Sequence, residues 1–264
     1  MVKTGGLLLM ILLNAFLINK SVIPRKVITI PSYMISLIFI ILSLPLIHLN
    51  QHWGATISMS ILILIYTEIV NFTDLINIKK TIFKTGFFVG LLTMIDYHFI
   101  WIYLIIIMSL LYYSQFNWKH FFIQFIGFIY PAGFYYTLYL SNYNIPKNPF
   151  PLTASFDQLD HYFYDYHVFL FGVLILFIVS MIELYNNYYR KKENAKKAFN
   201  LLFVFIILFS IQSLLLNSLK FIHLLIIPST ILIANYLIYT KHKKFRTFLL
   251  GLLFISFMFK FIYL

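Results

Sequence analysis

About ten apolar stretches follow one another along this chain, and the basic residues fall almost entirely in every second gap between them. The stretches cover residues 5–18, 31–47, 55–70, 81–95, 99–114, 121–140, 168–184, 198–216, 221–238 and 248–262. Each is compared with the roughly 20 residues that a helix needs to cross a bilayer. The odd-numbered gaps carry, in turn, Lys20, Arg25 and Lys26; Lys79, Lys80 and Lys84; Lys119; Arg190, Lys191, Lys192, Lys196 and Lys197; and Lys241, Lys243, Lys244 and Arg246. That is sixteen of the 20 Lys and Arg residues. The even-numbered gaps carry only Lys147 and Lys220, and Lys3 and Lys260 lie at the termini. One helix more or fewer would scramble the alternation, so it constrains helix count and orientation together. Cytoplasmic loops of membrane proteins are enriched in Lys and Arg, which predicts that the odd gaps face the cytoplasm and both termini face outward.

Composition points the same way. Of the 264 residues, 61% are hydrophobic and only 11% charged, against about 25% charged in an ordinary soluble domain. Too little polar surface is left to cover a water-soluble globule. The expected fold is an all-α polytopic transmembrane helix bundle, a single integral domain over 1–264 in a bacterial inner membrane, with the lipid bilayer as its first partner. The net charge of +12 is accounted for by topology and implies no nucleic acid. The absence of cysteine excludes disulfides and thiolate ligands or nucleophiles. Lys3 ahead of 5–18 mimics a signal peptide, but no small-x-small cleavage site follows, so an uncleaved helix is expected. Pro31 suits a helix start, and Gly127, Pro131 and Gly133 predict a kink in the sixth stretch. No Walker loop, G-x-S-x-G elbow or dinucleotide fingerprint is present.

The long polar interruption at 142–167 organises the predicted outer face. It holds Asp157, Asp160 and Asp165, with His161 and His167. Asp96 and His98 reach the same side after the fourth stretch, together with His48 and His52. One pattern occurs twice, Asp96-Tyr97-His98 and Asp165-Tyr166-His167, each copy expected beside a helix end. Carboxylates with imidazoles suit acid–base catalysis or a divalent cation. The spacing selects neither, and no cofactor is named by it. The alternative is that these are interface residues and helix caps, with Asp165 capping the seventh helix. Asp96 ends a short helix, where an ionised group below the headgroups is costly and often functional. Glu68 and Glu183 lie towards the cytoplasmic side. Glu68 is either functional or snorkels towards Lys79 and Lys80. Gln212 and Asn217 are expected to pair between helices.

From Phe83 to Leu140 the residues run Lys84-Thr85-Gly86-Phe87-Phe88-Val89-Gly90-Leu91-Leu92, a short turn, a Leu/Ile-rich helix, Phe116-Asn117-Trp118-Lys119, Gly127 and Pro131. This block resembles the membrane core of GT-C-type glycosyltransferases over residues 1–145. It is more similar to a family of uncharacterised bacterial inner-membrane proteins, a domain of unknown function of similar length. The GT-C likeness implies transfer from a lipid-linked substrate, such as a polyprenyl-linked lipid, at the outer leaflet. The chain departs from that pattern where it matters: the first gap is short and basic, without the acidic motif such enzymes carry in a large outer loop. No catalytic residue is therefore carried over. The candidates Asp96, His98, Asp157, Asp160, His161, Asp165 and His167 rest on side and chemistry alone. Two further expectations stand beside the enzyme: a structural or assembly subunit with envelope protein partners, and a transporter using Glu68 and Glu183 as coupling acids, which would expect two similar halves.

Overall fold

A computed structural model describes residues 2–44, 53–73, 76–113, 115–141, 156–215, 223–240 and 243–262. Within these, the side chains of 2–4, 53, 138–139, 156–167, 214–215, 243, 252, 256–257 and 259–262 are outside the description. The described residues form ten α-helices and no strand. They are α1 (Val2–Val22), α2 (Met34–Ser43), α3 (Trp53–Val70), α4 (Ile78–Ile95), α5 (Ile102–Tyr112), α6 (Trp118–Leu140), α7 (Phe156–Asn187), α8 (Glu193–Leu215), α9 (Ile226–Tyr239) and α10 (Lys243–Ile262). Each apolar stretch in the sequence corresponds to one helix.

Among the described residues, four segments are long and apolar enough to cross a membrane: Gly5–Val22, Gly54–Thr73, Val168–Arg190 and Glu193–Ser213. Others fall short of the expected ten crossings. The described part of α2 is 10 residues, which at 1.5 Å per residue spans about half the hydrocarbon core. It begins at Met34 rather than Pro31, with Ser32 Oγ accepting from the Met34 N–H at 3.1 Å. Helix α5 has 11 residues because the backbone first runs through a 3-10 segment, Tyr97–Trp101.

Although these helices are apolar all round, each buries one stripe. On α2 it is Ile35, Ile38, Phe39, Leu42 and Ser43, and on α5 Ile102, Ile105, Ile106, Ser109 and Leu110. That is the i, i+3, i+4, i+7 spacing of one helix face. The opposite face of α5 exposes Leu104, Met108 and Leu111. Hydroxyls bond within their own helices, as Ser43 to the Phe39 carbonyl and Ser180 to that of Leu176 (both 2.6 Å). This satisfies a polar group without water.

The tightest helix pair is α4 on α6. A methyl group on Gly86 would run into the Gln124 carbonyl oxygen, one on Gly90 into that of Phe128, and one on Gly127 into that of Phe83. Only glycine allows the backbones this close. Pro131 lies inside helix α6, and its ring packs beside Gly90. Around this pair, α3 packs on α4 and α1, α9 on α2 and α7, and α10 on α7. Asn14 on α1 donates to the Thr56 carbonyl on α3 at 3.0 Å, a buried polar tie between neighbours.

The odd-numbered connections meet at one end. Arg25 Nε donates to Asn71 Oδ1 at 2.7 Å, joining the first connection to the third. The Thr29 N–H donates to the Tyr239 hydroxyl at 2.9 Å, joining the first to the ninth. Asn200 Nδ2, near the start of α8, donates to the hydroxyl of Tyr112, the last residue of α5, at 2.8 Å, beside the seventh and fifth connections. Phe72 meets Tyr113 edge to face at 6.0 Å, joining the third to the fifth. The cations are thus gathered by packing as well as by topology.

Candidate functional site

At the other end, helix α4 stops because the backbone turns extended at Asp96, with φ −149° and ψ 127°. The Asp96 carboxylate then caps the 3-10 segment that follows. Its Oδ1 accepts from the His98 N–H at 3.0 Å and lies 2.7 Å from His98 Nδ1. Asp96 is 10% exposed and His98 21%. A carboxylate oxygen accepts, so this contact suits the imidazole tautomer whose proton sits on Nδ1. The Tyr97 ring lies against the imidazole, with centroids 3.8 Å apart. From α8, buried Gln212 donates Nε2 to the His98 carbonyl at 2.8 Å, pinning the segment to the bundle.

Of the seven candidates, Asp96 and His98 are brought together. Asp157, Asp160, His161, Asp165 and His167 lie along the first turns of α7, and their side chains are outside the described residues. Their backbone corrects one expectation: α7 begins at Phe156, so they belong to a helix and not to a loop. Asp165 is nine residues inside it and cannot be its cap. The second Asp-Tyr-His copy therefore lacks the helix break on which the first is built. His48, His52 and the stretch 142–155 lie outside the described residues. Among the described residues, no group of three His, Asp or Glu side chains is placed to hold a metal ion.

Among the described residues, Glu68, Glu183 and Glu193 are engaged at the basic end. Glu68 pairs with Lys84 Nζ at 3.0 Å, not with Lys79 or Lys80. Glu183 Oε1 accepts from Asn187 Nδ2 at 2.7 Å. Gln212 reaches His98 rather than Asn217, which is outside the described residues. Reading the sequence misses Gln212 as the anchor of His98, because nothing local links positions 114 apart. It also treats Lys191 as one more topological cation. The structure draws that side chain inward, Nζ donating to Asn235 Oδ1 at 2.8 Å.

Comparison with known families settles the chain's kinship. The model of DUF6427, a family of unknown function, matches residues 4–264. The chain belongs to this family. No curated protein and no solved structure matches the DUF6427 chain. Within it, Gly86, Gly90, Gly127 and Pro131, which read as a glycosyltransferase-like pattern in the sequence alone, are accounted for by the packing of α4 on α6.

Proposed function

We propose that this DUF6427 chain is a multi-spanning protein of the bacterial inner membrane, basic end in the cytoplasm and both termini outside, acting on a lipid-linked substrate at the outer leaflet. The observation that carries the reading is the Asp96–His98 pair, Oδ1 to Nδ1 at 2.7 Å. A phosphate-linked leaving group departs as an anion and needs no proton. What such a transfer requires is a base for the incoming hydroxyl. His98 Nε2 takes that proton as the hydroxyl attacks, and Asp96 steadies the imidazolium that forms. A positioned base of this kind contributes on the order of 10²–10⁴-fold in rate. The substrate class is the one that the sequence resemblance to GT-C enzymes implies.

The test is complementation of a deletion strain with His98→Gln and with Asp96→Asn at matched protein level. Both are expected to fail, and growth restored by His98→Gln would overturn the catalytic role. Orientation has its own check. The chain lacks cysteine, so single cysteines in place of the exposed Tyr97 and Lys192 should label from opposite sides of the membrane; labelling from one side would overturn the topology.

A second reading, a non-enzymatic subunit of an envelope complex, is favoured by α6, whose outward face exposes Trp118, Phe122, Phe125, Tyr130 and Phe134. A partner recovered at fixed ratio through those rings would favour it over the enzyme.

A further inference from the structure

Lys191 is a cation whose placement topology alone does not explain. A lysine that only sets orientation belongs in water, yet burial pushes this ammonium down to about 8. Its Nζ donates to Asn235 on α9 and stands 4.8 Å from the ring centres of both Phe199 on α8 and Tyr239. Among the described residues, no carboxylate lies within ion-pair distance of it. An acceptor amide and two ring faces hold the charge in place without neutralising it.

Beside it opens a cavity of about 540 Å³, within the range of small-molecule sites. Three connections contribute: Lys26 after α1, Arg190, Lys191 and Lys192 between α7 and α8, and Tyr239 ending α9. Four cations line it against one carboxylate, Glu183, which Asn187 already holds. The backbone adds an independent sign. Lys26, with φ 58°, is the one positive-φ non-glycine residue among the described residues. The Val27 N–H reaches the Val22 carbonyl at 3.2 Å and the Lys26 N–H that of Ile23 at 3.0 Å, closing α1 with a turn that usually takes glycine. A lysine there carries a steric cost that glycine avoids. Backbone conformations of this kind cluster at functional sites.

We propose that this cavity binds a phosphate group of two or more negative charges, a phosphomonoester or pyrophosphate, borne by a lipid headgroup or by a soluble molecule. Arg190, Lys192 and Lys26 at the exposed rim supply donors to several oxygens at once, which suits phosphate better than a single carboxylate. Lys191 supplies fixed charge at the wall. The remaining volume accommodates the organic portion that carries the phosphate.

The test uses purified full-length protein and does not depend on Asp96 or His98. Pyrophosphate binding is measured by calorimetry, and retention of phosphatidic acid against phosphatidylcholine by native mass spectrometry. Lys26→Gly removes the cation and relieves the backbone together, so its melting temperature should hold or rise. Its affinity for whichever probe binds should fall by about tenfold, the loss of one charge-assisted contact. Arg190→Gln with Lys192→Gln, both exposed, should weaken binding at least as much. Lys119→Gln, a cation outside the cavity, should change it by less than about twofold, as screened surface charges do. Pyrophosphate binding assigns a soluble source; retained phosphatidic acid that pyrophosphate does not displace assigns a lipid. If neither probe binds, or if Lys26→Gly binds as the unaltered protein does, the proposal is overturned.

Discussion

At the Asp96 end, carboxylate and imidazole come from residues two apart, and Gln212 bonds the His98 carbonyl from α8. At the basic end, the bonds join residues 44, 46, 88 and 210 positions apart. The first arrangement is a local turn that happens to hold reactive groups. The second is a tertiary network that exists only once five connections have met. Local sites are cheap to keep and cheap to lose, whereas a site assembled from distant connections carries part of the fold with it. Substitutions of similar size should therefore cost stability unequally at the two ends.

The largest stability effect is expected at Asn235, which is 2% exposed. Asn235→Leu removes the acceptor of the Lys191 ammonium and leaves a buried donor unpaired, a loss of about 1–3 kcal/mol. Adding Lys191→Met should recover most of it, because both partners are then apolar. Thermal unfolding in detergent measures both, and an unrecovered double variant would break the comparison. Asp96→Asn should cost less, since asparagine caps a helix about as well as aspartate. The Lys191 proton sharpens the point. Burial holds its folded value at about 8 against the ordinary 10.5. The unfolded chain then binds more protons between those values, so stability rises with pH across that window through Lys191. Anion binding moves the opposite way and weakens above about pH 8 as the charge is lost. Lys26, Glu183, Arg190, Lys192 and Tyr239 line the same cavity. They are unchanged in Lys191→Met, so the difference from the unaltered protein isolates this group.

The ends were unequally legible beforehand. Charge alternation anticipates ten helices and groups the basic connections, because both follow from how often the chain turns. Glycines 86, 90 and 127 can be read as packing positions. Asp96 and His98 stand out in the sequence as a short pattern beside a helix end, but their mutual bond is given by the turn's geometry and not by spacing. The polarity of 156–167 reads as a loop, whereas the segment is the start of helix α7. Polar side chains do not break a helix, and no glycine or proline follows Pro151 before His167. Lys191 could not be told from Arg190 or Lys192. What turns it inward is Asn235, Phe199 and Tyr239, contributed from two other helices.

The smallest effect belongs to the pair Lys84–Glu68. Lys84 is 42% exposed and Glu68 13%, and a pair open to solvent on one side contributes about 1 kcal/mol or less. Arg25 is close enough for Glu68 to act on its charge, so Glu68 keeps a cation when Lys84 is lost. Lys84→Met should thus cost less than Glu68→Gln, which removes the anion both cations share. Equal costs would show that the basic end is a set of separate pairs. Unequal costs, with Arg25→Met and Lys84→Met together exceeding the sum of the two alone, would show a network in which each cation covers for the other.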